Sequence, residues 1–203
     1  MLFVAANVSS TFWGNWAQAQ LLPQLVLNEA IGKNTLIQDQ CGDTPDAIEI
    51  AYHGEGEIDI DQYFIYDDDT AFLPLYERYH LPDGVTLNGD NENQRYLIVW
   101  AADQLVSNQC SPFHTNFAIS ASQGDTLYLA DDTGEVIDTL EVPQLEDNQS
   151  YGHEQDENLE PTGGVGVLEQ TTLGSANSLA IYELFFSQKR GIFDHNVNDA
   201  FNL

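Results

Sequence analysis

RYLIVWAADQ (residues 95–104), a polar loop carrying Cys110, and SPFHTNFAISASQGDTLYL (residues 111–129) make up the stretch that decides the fold. Tyr96-Leu97-Ile98-Val99-Trp100 is a run of β-branched and aromatic residues, too short and too β-prone for a helix. A run that is apolar at every position suits a strand covered on both faces, as at the centre of a sandwich or barrel. His114-Thr115-Asn116-Phe117 leads into Ala118 to Ser122, and Gly124 separates this piece from a second apolar strand, Thr126 to Leu129. The Trp100-ended segment and the Phe117-led one are therefore expected to be buried neighbours in a two-layer antiparallel fold.

Working outward, Leu25 to Ala30 reads as a first strand, with Asn28 and Glu29 as polar residues near its end that satisfy loop backbone. Ala47 to Tyr52 alternates as a half-buried strand with Ile48, Ile50 and Tyr52 inward. Pro82-Asp83-Gly84 is a turn in which proline presets φ, aspartate bonds its own backbone and glycine takes the positive φ. Asp131-Asp132-Thr133-Gly134 is a hairpin turn between Leu127–Leu129 and Val136–Leu140.

Taken in order, Y-L-I-V-W-A, H-T-N-F, A-I-S-A-S and G-D-T-L-Y-L resemble the bacterial lamin tail domain. So do Asn28-Glu29 in the first strand, Tyr63 to Asp68, Leu81-Pro82-Asp83-Gly84, Gln149 to His153 and the closing Thr171 to Asn177. The resemblance spans about residues 24–177. It implies an immunoglobulin-like antiparallel β-sandwich without catalytic activity, with Trp100, His114, Asn116 and Phe117 as structural motif residues. His153 stands where the family commonly has arginine, so its interactions here are expected to depend on pH.

The ends read differently. Residues 1–20 have an apolar front and Ala17-Gln18-Ala19, expected as a signal-peptide remnant or a disordered lead-in. Residues 178–203 look like the start of a following β-module of a longer protein. No run of 18 or more apolar residues suggests a membrane-spanning helix.

Charge narrows the partners. With 33 acidic side chains against five lysines and arginines, the chain carries a formal net charge of −28. Nucleic acid binding needs basic residues to displace phosphate counterions, so it is disfavoured, and anionic membrane surfaces would repel the chain. The acidity suits solubility in a salty medium where screening is short-ranged.

Three sets of residues bear on chemistry. Asp67-Asp68-Asp69 is the densest carboxylate knot and, with Glu29, could hold Ca²⁺; the alternative is a solvated loop tip. Cys41 and Cys110, both in loops after strands, are expected to form one disulfide in an exported domain, or else remain two free thiols. The five histidines are dispersed without a zinc spacing, and neither a nucleophile elbow nor a phosphate loop is present.

The expected function is therefore a secreted or cell-surface module, non-catalytic, with no resident cofactor unless Ca²⁺ binds. It would serve in binding or adhesion to a protein or polysaccharide, or as a structural spacer. Alternatives are an accessory domain of a secreted hydrolase or nuclease and a Ca²⁺-dependent carbohydrate-binding module. Exposed aromatics at Phe72 and Tyr76 would favour binding; a smooth acidic surface would favour a spacer.

Overall fold

A computed structural model describes residues 24–103, 113–120, 122–155, 161–168 and 171–177. Cys110, the expected lead-in over residues 1–20 and the expected second module over 178–203 lie outside the described residues. The structure is all-β, two antiparallel sheets packed as a sandwich, as the apolar and alternating runs predicted.

One sheet has five strands in the order β11 (Pro161–Leu168), β10 (Ser150–Gln155), β1 (Leu25–Ile31), β2 (Asp46–Tyr52) and β7 (Tyr96–Ala101). The other has four, β5 (Tyr79–His80), β4 (Phe64–Tyr66), β8 (Asp125–Ala130) and β9 (Val136–Val142). A two-stranded ribbon of β3 (Glu57–Asp59) and β6 (Thr86–Asn88) stands beside them. Leu27, Ile48, Ile50 and Val99 of the first sheet meet Ile65, Leu127, Leu129 and Leu140 of the second in one core. Each such side chain contributes roughly 1.5–3 kcal/mol on burial. The alternation expected in 47–52 holds, since Ile48, Ile50 and Tyr52 belong to this core.

Three expectations need correction. The central strand is β1, buried along its whole length, whereas β7 lies at the edge of its sheet. The apolar run of β7 is covered only toward its end, where Trp100 bridges in parallel to His114 and exchanges backbone hydrogen bonds with Phe113 and Thr115. The Phe117-led segment is buried at Phe117 and Ile119, as expected, and runs outside the strands of both sheets. Asn28 and Glu29 are not strand-end residues: both are fully buried in mid-strand, at a bulge between Leu27 and Glu29. A bulge places two successive residues opposite one on the partner strand, which is how two adjacent polar side chains come to share the outer surface of β1. For the same reason β2 is more than half-buried, because its outer-facing Glu49 is covered as well.

The turn before β10 uses a strained residue. Asn148 has φ of 61°. Its N–H donates to the Lys33 carbonyl oxygen at 2.9 Å, and its side-chain oxygen accepts the Thr35 N–H at 2.8 Å. Asparagine tolerates this conformation better than most residues, and alanine does not. Asn148→Ala is expected to lower stability by about 1–2 kcal/mol, by adding backbone strain and removing the side-chain bonds. Asn148→Gly, which relieves the strain only, should recover part of it. A urea midpoint unchanged in Asn148→Ala would refute this.

Candidate binding loop

Residues 67–78 connect β4 to β5, and their conformation is fixed from three directions. Asp67, buried at 3% exposure, accepts hydrogen bonds at Oδ1 from the Thr70 N–H (2.7 Å) and the Thr70 hydroxyl (2.5 Å). Arg78 folds back from the other end: Nε donates to the Leu73 carbonyl at 3.0 Å and Nη2 to the Ala71 carbonyl at 2.6 Å. Its guanidinium also lies 3.9 Å over the Tyr66 ring, which stacks on Tyr128 at 5.0 Å. The third tether is Asn116, whose Nδ2 donates to the Glu77 carbonyl at 3.0 Å.

The result is a rigid loop with alternating exposure. Ala71, Leu73 and Leu75 are half-buried, while Phe72 and Tyr76 are each 81% exposed. Arg78, the cation of the loop, is turned inward, and Asp69 and Glu77 remain exposed beside the aromatics. A guanidinium spent on two carbonyls and a ring is costly to displace, so the presented side chains are pre-organised.

The H-T-N-F segment is the junction under this loop. The His114 Nε2 lies 2.9 Å from Asp39 Oδ2, both side chains 3% exposed, so a carboxylate helps to hold this ring in place. Burial alone would raise the Asp39 carboxyl, but the His114 bond and the N–H groups of Asp43 and Cys41 bring it below the usual carboxylate range. Thr115 donates through its hydroxyl to the Phe117 carbonyl at 2.6 Å, and Asp103 N–H donates to the same oxygen at 2.9 Å. One short segment thus ties together the Asp39–Asp43 turn carrying Cys41, the end of β7 beside Trp100, and the 67–78 loop.

The carboxylate knot is dispersed by these contacts. Asp67 faces inward to cap its turn, Asp68 accepts the Tyr128 hydroxyl at 2.8 Å, and Asp69 points to solvent. Glu29 belongs to β1 in the other sheet, so the four acids do not form one site. Among the described residues, no three His, Cys, Asp or Glu side chains converge closely enough to hold a metal ion. Asp68 instead borders a shallow depression of about 490 Å³ with Asp125, Glu141 and Tyr151. There the Asp125 carboxyl is raised, first by burial against the restraining N–H groups of Ser120 and Thr126, and further by the charges of Asp67 and Asp68. Nothing in the sequence pattern pointed to Arg78 as the loop's clamp. Its only signal was being one of five cations in the chain.

A second polar cluster lies on the outer face of the five-stranded sheet, under residues 171–177. Glu29 and Glu49 are directly opposed across β1 and β2 and are both fully buried. Glu29 accepts the Thr172 N–H at 3.0 Å and the Thr172 hydroxyl at 2.8 Å. Glu49 accepts Asn28 Nδ2 at 2.6 Å and the Gly174 N–H. Burial, eased by those two donors and aggravated by the charge of Glu29, pushes the Glu49 carboxyl up to about 8. Asn177 closes the cluster: its N–H donates to Gln155 Oε1 at 2.7 Å and its Nδ2 to the carbonyls of Asn28 (3.0 Å) and His153 (2.8 Å).

Comparison with protein-family models finds no match to this chain, and comparison with curated proteins finds none.

Proposed function

We propose that the chain is a non-catalytic, exported immunoglobulin-like sandwich of the lamin tail type, and that it binds a cell-surface or extracellular polymer through the 67–78 loop. The observation that carries this reading is the exposure of Phe72 and Tyr76 on a loop locked by Asp67, Arg78 and Asn116. Large aromatics held in water on a rigid support forgo the stabilisation of burial, and such residues dominate the energetics of binding surfaces. Pre-organisation matters because ordering a floppy loop would consume binding free energy. A passive spacer has no use for either feature.

A disulfide between Cys41 and Cys110, the chain's two cysteines, would accord with export. The acidic surface favours a neutral or cationic polymer over an anionic one.

The test is affinity electrophoresis of the purified chain through gels containing soluble cell-wall polysaccharides, alongside sedimentation with intact cells. The Phe72→Ala/Tyr76→Ala double variant should lose at least about tenfold in affinity, consistent with two anchors worth roughly 1 kcal/mol or more each. Its melting temperature should be unchanged, because neither ring is buried. Retention of the double variant equal to wild type would reject the loop as the binding site.

A further inference from the structure

The polar cluster beneath residues 171–177 has a proton-counting problem. The Thr172 hydroxyl carries one proton but lies 2.8 Å from Glu29 Oε2 and 2.8 Å from Asn177 Oδ1. The Asn177 amide cannot turn its nitrogen toward Thr172, because Nδ2 is committed to the carbonyls of Asn28 and His153. Three oxygens in a row therefore need two protons, and Thr172 supplies one. A carboxyl O–H on Glu29 donating to Thr172, which then donates to Asn177, completes the chain. The neighbouring Glu49 has both oxygens engaged by N–H donors, from Asn28 and Gly174. Two carboxylates opposed in a buried site resist being ionised together.

We propose that Glu29 and Glu49 hold one proton between them, and that this proton pins residues 171–177 to the sheet as a pH-operated clasp. Loss of the proton leaves two buried charges side by side and an unprotonated contact between Thr172 and one of its two acceptors. Lifting the strap relieves both by letting water reach the carboxylates. Opening also uncovers Asn28 on β1.

The other ionisable groups around the pair do not supply the proton. The strap itself contributes none between Thr171 and Asn177. Tyr96 on β7 is raised, first by burial and in part by the charge of Glu49. On β10, His153 is lowered by burial, opposed by Asp138, and the Glu154 side chain lies over Gly164 of β11. Arg95 reaches the Gly89 carbonyl at 2.5 Å and His53 at 3.5 Å.

Amide hydrogen exchange on the full chain reads the clasp directly at Thr172, Gly174 and Asn177. Corrected for intrinsic rates, their protection should fall by up to about tenfold per pH unit between about pH 5 and about pH 8, while the closed clasp still holds the shared proton, and level off above that, with Leu27, Ile48 and Leu127 staying protected. Glu29→Gln, whose side-chain N–H stands where the O–H is proposed, should keep the strap protected across that range. Protection that is flat with pH in the wild type, or lost in Glu29→Gln in step with it, would overturn the proposal. A readout that needs no variant to fold is isotope-edited infrared spectroscopy with labelled glutamate. A protonated-carboxyl band at neutral pH is expected, and its absence would equally overturn the idea.

Discussion

Gly152→Ala is expected to destabilise the sandwich by about 3 kcal/mol or more, although it adds only a single methyl group. Gly152 sits on β10 opposite Glu29 of the central strand. A Cβ at this position would lie 2.3 Å from the Asn28 carbonyl oxygen and 3.0 Å from both the Glu29 Cα and Asn177 Nδ2. Two of those neighbours are backbone of β1, which is hydrogen-bonded on both sides and cannot swing away as a side-chain tip could. Relief requires β10 to move off β1. Overpacking of that kind costs about 1–3 kcal/mol by itself. The displaced oxygen is also the acceptor of Asn177 Nδ2, so the strap over Glu29 and Glu49 loses an anchor and buried polar atoms lose partners, at about 1–3 kcal/mol each. Gly166 on the adjacent β11 is the control. A Cβ there would meet only Glu154 Oε1, at 3.8 Å, so Gly166→Ala should be nearly neutral. Equilibrium urea denaturation of the two variants decides the matter. A Gly152→Ala midpoint matching that of Gly166→Ala would mean the close approach of β10 to β1 is not as described.

How much of this was visible in the sequence depends on how local the cause was. Ile48, Ile50 and Tyr52 were legible as inward because period-two alternation is a property of six residues in a row. The burial of Asn28 and Glu29 was not, since it depends on a bulge and on Thr172, 143 positions further along. A pattern that labels polar residues as strand ends has no access to a strap arriving from that distance. The edge position of β7 was hidden because a fully apolar run is consistent both with a middle strand and with an edge strand covered by a non-sheet segment. At the Trp100 end, residues 113–115 provide that cover. In the candidate loop, the carboxylates drew attention to cation binding, yet Asp67 serves the Thr70 turn and Asp68 serves Tyr128. Phe72 and Tyr76 were recognisable only as a condition to be checked, because the sequence does not say which way Arg78 folds.

Stability is expected to fall as pH rises from about 5 to about 8, by several kcal/mol and chiefly through the proton that Glu49 shares with Glu29. The Glu49 carboxyl is raised from 4.5 to about 8 by burial. A group raised on folding contributes stability that is complete below its unfolded value and is lost as pH climbs to its folded value. The full shift corresponds to on the order of 5 kcal/mol between those limits. Asp46, raised from 3.8 to about 6 by burial despite the N–H groups of Asn34 and Ile119, acts in the same direction over a lower window. His53 opposes them. Burial, with help from the charges of Arg95 and His153, lowers it from 6.5 to about 4, so its contribution is present above 6.5 and lost as pH falls through 4. Between 4.5 and 6 two carboxyls therefore work against one imidazole, and above 6.5 only Glu49 of these three still titrates. General repulsion among the surface charges would produce a similar trend, but salt separates the two. At high ionic strength exposed charges are screened within a few ångström, whereas the fully buried Glu49 is not. Melting temperatures in concentrated NaCl should thus remain higher at pH about 5 than at about 8 in the wild type. In Glu49→Gln the difference should shrink by about one proton's worth of slope. Identical pH profiles for the two proteins would show that Glu49 titrates in the folded state as it does in water, and the buried pair would then have no hold on the strap above it.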